Sequence, residues 1–117
     1  MYKSSIELIR HIEREADFII NSAGVKSEKE FYSDEILKRA VTRALEIIGE
    51  ASVKLSDEFK IKHPEIEWIN LRGLRNRLIH DYAGVDYSIV WTTIQEDIPE
   101  LYFQVTEILK NNTDDLV

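Results

Sequence analysis

Cysteine is absent from the 117 residues, so neither a disulfide framework nor a Cys-based zinc site can form. Glycine occurs four times and proline twice, too sparsely for a linker that would divide the chain. Apolar runs are short and broken by charge, well below the roughly 20 residues that a membrane-spanning helix needs. The start, Met1-Tyr2-Lys3-Ser4-Ser5, leads into a charged amphipathic pattern and not into the apolar core of a signal peptide. An excess of positive charge is missing too. The formal net charge is −7 and the pI near 5.0, which argues against non-specific nucleic-acid binding. There is no phosphate-cradling glycine loop, no dinucleotide fingerprint and no nucleophile elbow. His11, His63 and His80 are scattered, and nothing reads His-Glu-x-x-His, so neither a metal nor another cofactor is expected. These absences fit a cytoplasmic protein without membrane attachment.

What is present is helical periodicity. Apolar residues make up 44 %, enough for one core, so the expectation is a single domain over residues 1–117. A first helix is predicted from about Ser4 to Asn21. Ile6, Ile9, Ile12, Ala16, Ile19 and Ala23 form its stripe, and Gly24 is its stop. A long second helix is predicted over about Ser33 to Phe59. Leu37, Val41, Ala44, Ile48, Ala51 and Leu55 recur at alternating steps of four and three, a bundle-type seam. Ser33 or Asp34 is its candidate cap, and Ser27-Glu28-Lys29-Glu30 reads as an earlier capping box. Lys60–His63 reads as a connection, and Pro64 can open a short helix through Leu71. Gly73 breaks or bends the chain before a segment Leu74–His80. A last helix is predicted from about Tyr87 to Lys110, capped by Asp86, with a kink at Pro99. The fold class is therefore all-α.

Charge is unevenly spread. Lys38, Arg39 and Arg43 cluster in one segment, and Arg72, Arg75 and Arg77 in another. Acid concentrates in stretches such as Glu28–Glu35 and Glu96–Glu100. If the basic segments face one cleft, an acidic protein can still hold RNA there. Charge counting alone favours solvated helix faces.

The run Arg75-Asn76-Arg77-Leu78-Ile79-His80-Asp81-Tyr82 carries the chemistry. Arginine forks onto phosphate oxygens, histidine moves a proton near neutral pH, and tyrosine offers a modifiable hydroxyl. At about 100° per residue, Arg75 and Tyr82 share a helix face, whereas Arg75 and His80 lie about 140° apart. One rigid helix would not aim both at one atom. Either the helix unwinds near His80 or two chains share a site, as a two-fold dimer allows. Arg-x4-His is by itself a weak pattern, since such pairs commonly cap carbonyls or pair with carboxylates.

The flanks make it specific. The run resembles the Arg-x4-His-x-Tyr signature of the HepT toxins within the HEPN superfamily. The similarity extends through His63–Trp68, Leu71–Leu74, Gly84–Asp86 and Val90–Pro99, and through Arg39–Val41 and Leu45–Ala51 in the long helix. This resemblance implies an antiparallel HEPN bundle of four to five helices that forms a homodimer with the two motifs facing across a cleft. It implies a metal-independent endoribonuclease toxin whose partner is MntA, a minimal nucleotidyltransferase antitoxin able to transfer AMP to the motif tyrosine, here Tyr82. The RNA substrate, transfer or messenger, stays open. Arg75 and His80 map onto the catalytic positions. Asn76 matches the common form, and Arg77 can contact RNA phosphate or a carboxylate. For Glu46 and Glu50 two roles are open: orienting Arg75 or Asn76, or a surface salt bridge. Trp68 and Trp91 read as core anchors more than as stacking platforms. The competing readings are a non-catalytic partner of a nucleotidyltransferase, mildly favoured by the acidic charge, and a dimeric nucleotide-binding helper.

Overall fold

The computed structural model describes residues 4–80 and 84–113, with the backbone alone at 75, 79, 80, 112 and 113. The architecture is all-α. Helix α1 spans Ser5–Ser22, where the Ser4 hydroxyl accepts the Glu7 N–H at 3.1 Å. Its end is fixed by the Ala23 and Gly24 N–H groups, which both donate to the Ile19 carbonyl. A Cβ at Gly24 would lie 2.6 Å from the Ile20 carbonyl oxygen, so this close approach requires glycine.

The early capping box is real and starts a separate short helix, α2, over Glu28–Ser33. Its Ser27 hydroxyl accepts the Glu30 N–H, while the Glu30 carboxylate accepts the Ser27 N–H. Asp34 then caps α3, Glu35–Lys54, through the Leu37 N–H. The long helix thus stops five residues short of the expected Phe59. Ser56 is the cause. Its hydroxyl accepts the Phe59 N–H and starts α4, Asp57–Lys62, while Leu55 turns extended between the two helices. Leu55 nevertheless stays buried, as its heptad position requires. The expected connection at Lys60–His63 is therefore mostly helix, closed by His63.

After a turn at Pro64, α5 covers Trp68–Arg72 and α6 covers Leu74–Leu78, with Gly73 between them. The chain then turns extended. Strand β1, Ile79–His80, pairs antiparallel with β2, Gly84–Val85, in the register Ile79 to Val85 and His80 to Gly84. Gly84 has φ +79°, the left-handed region where glycine is favoured.

Asp86 caps α7, Tyr87–Thr92. A π-helical turn at Thr93–Asp97 follows, and α8 runs over Ile98–Thr113. Pro99 was expected to kink this helix, and the π turn is how the strain is absorbed. Proline lacks an N–H and its ring crowds the carbonyl four residues back. The wider turn, in which the Ile98 N–H reaches the Thr93 carbonyl, makes that room. It also matches the spacing of Val90, Ile94 and Ile98. Two steps of four would drift about 80° around a regular helix.

Helix α1 packs against α3 and α8, and α5 and α6 pack on α3. The core is a cluster in which Ile9, Ile12, Ile19, Val41, Leu45, Ile48 and Val105 are fully buried. Those in α1 and α3 follow the predicted stripes except Leu45, which widens the α3 seam. Among the described residues no helix is long and apolar enough to cross a membrane.

Candidate active site

Helix α6 is anchored by Leu74 and Leu78, one turn apart and both buried against the core. Gly49 on α3 lets the α5 backbone come close: a Cβ there would lie 3.3 Å from the Leu71 carbonyl oxygen. This packing fixes the segment that carries the motif. Asn76 and Arg77 are exposed, and the Arg77 Nη2 donates to the Asn70 carbonyl at 3.4 Å.

The helix ends at Leu78, two residues before His80. The Asp86 N–H donates to the Leu78 carbonyl at 2.8 Å and closes the ribbon behind it. Arg75 therefore stands on a helix and His80 on a strand. Of the two ways to free this pair from a rigid 140° separation, unwinding near His80 is built into the chain. Tyr82, the expected modification site, lies outside the described residues, as does Asp81.

Glu46 and Glu50 both meet Arg43. The Arg43 Nη1 lies 3.5 Å from a Glu46 oxygen and 3.4 Å from a Glu50 oxygen. Among the described residues these are the contacts of both carboxylates.

The first basic segment is less open than its charges suggest. Lys38 is only 9 % exposed. Its Nζ lies 2.8 Å from the Glu35 carboxylate and 4.7 Å over the Tyr87 ring. This hydrogen bond from Lys38 lowers the Glu35 pKa. Lys38 thus ties α3 to the start of α7, Arg43 is engaged by two carboxylates, and Arg39 is left exposed. The tryptophans act as anchors. The Trp68 Nε1 donates to the His63 carbonyl at 2.9 Å, and Trp91 packs on Phe31 with ring centres 5.4 Å apart. His63 stays in its turn, with its ring on Phe59 and Nδ1 3.3 Å from Glu65.

A cleft of about 100 Å³ lies between α5–α6 and the π turn with α8. Arg77 and Asn70 form one wall, and Asp97 and Glu100 the other. In the sequence the last two stood only as part of an acidic stretch. Pro99 together with the four-four spacing before it was the signal that this wall departs from a regular helix.

The ribonuclease HepT-like family model matches residues 5–108. The chain belongs to this HepT-like family. A Caldanaerobacter subterraneus protein described as a "putative RNase" is 46 % identical over 102 residues, covering 87 % of this chain and 91 % of that protein. A Thermococcus cleftensis protein described as "probable ribonuclease HepT" is 44 % identical over 97 residues, covering 83 % and 79 %. A Methanocaldococcus jannaschii protein, also described as a "putative RNase", is 41 % identical over 95 residues, covering 81 % and 78 %. No solved structure gave a significant match. The HepT-like match covers α1 through most of α8, so the motif helix, the ribbon and the π turn all lie inside it.

Proposed function

We propose that this HepT-like protein is a metal-independent endoribonuclease that acts as the toxin of a toxin–antitoxin pair. The observation that carries this reading is the helix-to-strand break between Arg75 and His80, inside a segment matched by a ribonuclease family model. The break frees the two positions from the fixed separation of about 140° that one regular helix would impose. In the reaction a base removes the proton of the RNA 2′-hydroxyl. The 2′-oxygen attacks the neighbouring phosphorus, and the P–O5′ bond breaks as the leaving oxygen takes a proton. The products are a 2′,3′-cyclic phosphate and a 5′-hydroxyl. His80 performs proton transfer, and Arg75 offsets the charge that develops on the phosphorane oxygens. Asn76 and Arg77 support the motif or contact RNA. Glu46 and Glu50 hold the neighbouring face of α3 through Arg43.

The site is composite, with two chains of a cytoplasmic homodimer bringing two motifs across one cleft. The partner is a nucleotidyltransferase antitoxin of the MntA type. Transfer of AMP to Tyr82 would add bulk and negative charge beside Arg75 and His80, blocking the cleft and competing for the cation.

The test is cleavage of transfer, messenger and total RNA in EDTA by protein whose Tyr82 is unmodified by mass. Cleavage should fall by about 100-fold or more in His80→Ala and in Arg75→Ala, with helicity and dimerisation retained. The acidic net charge of −7 favours one other reading, a non-catalytic partner of the nucleotidyltransferase. No cleavage of any RNA by the wild-type dimer would select it.

A further inference from the structure

The cleft beside α6 has a composition that suits a nucleobase better than a phosphate. Its floor is apolar, the half-buried Leu71 lying with the buried Leu74 and Leu101, and offers a small surface for a flat ring. Among the described residues its rim carries carboxylates from both walls and a single cation, Arg77. That balance repels a phosphate. Two of the carboxylates are already engaged: Glu67 accepts from the Asn70 side chain, and Glu65 lies 3.3 Å from His63. Asp97 and Glu100 have no side-chain hydrogen bond or ion pair among the described residues. They lie three residues apart where the π turn passes into α8, so their side chains are neighbours. Opposite them the Arg77 guanidinium is steadied by the Asn70 carbonyl, with further N–H groups left to donate.

We propose that this cleft is a base-recognition subsite selective for guanine, and the proposal rests on the ribonuclease reading above. The two walls ask for different things of a base. Asp97 and Glu100 can only accept, so they favour a base with N–H donors on its edge, and guanine offers N1–H and the 2-amino group. Arg77 can only donate, so it favours O6 and N7 of guanine, the most common partners of arginine on a base. Uracil lacks an amino group, and adenine and cytosine lack an O6. Arg75 and Arg77 stand two residues apart on α6, about 160° around its axis, so a guanine held here would be a base flanking the scissile phosphate and not the base at the cut.

The test separates binding from cleavage. Guanosine, adenosine, cytidine and uridine monophosphates are titrated into the full-length dimer and followed by amide NMR. The expected result is tighter binding of guanosine monophosphate by about tenfold, with shifts centred on Asn70, Asp97 and Glu100. The Asp97→Asn/Glu100→Gln double variant, nearly isosteric and checked by circular dichroism, should lose that preference. Equal binding of all four nucleotides overturns the proposal, as does a guanine preference that survives the double variant. So do cleft shifts with spermidine but not with guanosine monophosphate. Guanine binding at the cleft without RNA cleavage would leave the subsite standing and remove the nuclease reading. RNA cleavage without guanine binding would do the reverse.

Discussion

The Gln104 side chain on α8 donates to the main-chain carbonyl of Glu65 at 2.8 Å, across 39 residues of sequence. It ties the turn after Pro64 to the last helix and borders the cleft beside α6. A single net hydrogen bond is worth about 1 kcal/mol. Gln104→Ala should therefore lower the unfolding free energy by about that amount, read from the urea midpoint with an unchanged slope.

Lys38 is part of the packing, buried between Glu35 and Tyr87. Truncation to Ala removes its stem, the pair with Glu35 and the contact over Tyr87. Lys38→Ala should cost about 1–2 kcal/mol in urea unfolding. Lys38→Met keeps the buried stem and should cost less. An equal loss in both variants would make the charge, not the packing, the dominant part.

Gly84 sits at φ +79°, and among the described residues beyond its chain neighbours no atom lies within 4 Å of where a Cβ would stand. The cost of Gly84→Ala is then backbone strain alone, about 1–2 kcal/mol. Because Gly84 pairs with His80 in the ribbon, RNA cleavage by this variant should fall while far-UV circular dichroism stays near wild type. Unchanged cleavage at lowered stability would uncouple the ribbon from the motif.

Two carboxylates link stability to acid. Glu30 is held below its ordinary pKa of 4.5 by its hydrogen bond from the Ser27 N–H, and Glu35 by its hydrogen bond from Lys38. A lowered folded-state pKa means the folded chain prefers the ionised form. The contribution is present above 4.5 and is lost as pH falls through the lowered values. Both groups are exposed, so each effect is small. Chemical unfolding measured at falling pH should show a shallower acid limb in Glu30→Gln/Glu35→Gln than in wild type.

Periodicity made most of this fold readable. The α1 stripe, the α3 seam and the cap at Asp86 stand where the sequence predicts them, and of the two caps offered for α3 it is Asp34 that forms. What periodicity missed was competition between local signals. Ser56 starts a new helix inside a run whose heptad continues to Leu55, because one hydroxyl satisfies a backbone donor that the long helix would otherwise bond. Lys38 and Arg43 read as a basic patch because charge is visible in sequence, while Glu35, Tyr87, Glu46 and Glu50 became their partners only on folding. The break between Arg75 and His80 was legible as one of two answers to a geometric demand, the other being a site shared by two chains, since five residues of helix cannot aim both at one point. The ribbon that meets it depends on pairing with Gly84 and Val85, which no local pattern announces.

The wide turn at Thr93–Asp97 holds one residue more than a regular helix would need. Removing Gln95 together with Pro99→Ala would leave Val90, Ile94 and Ile98 at regular spacing and let the whole segment wind evenly. The segment is in effect an insertion the bundle has learned to carry. Length differences among relatives in this last helix should gather here, where gaining or losing a residue rotates Asp97 without turning the hydrophobic stripe away from the core.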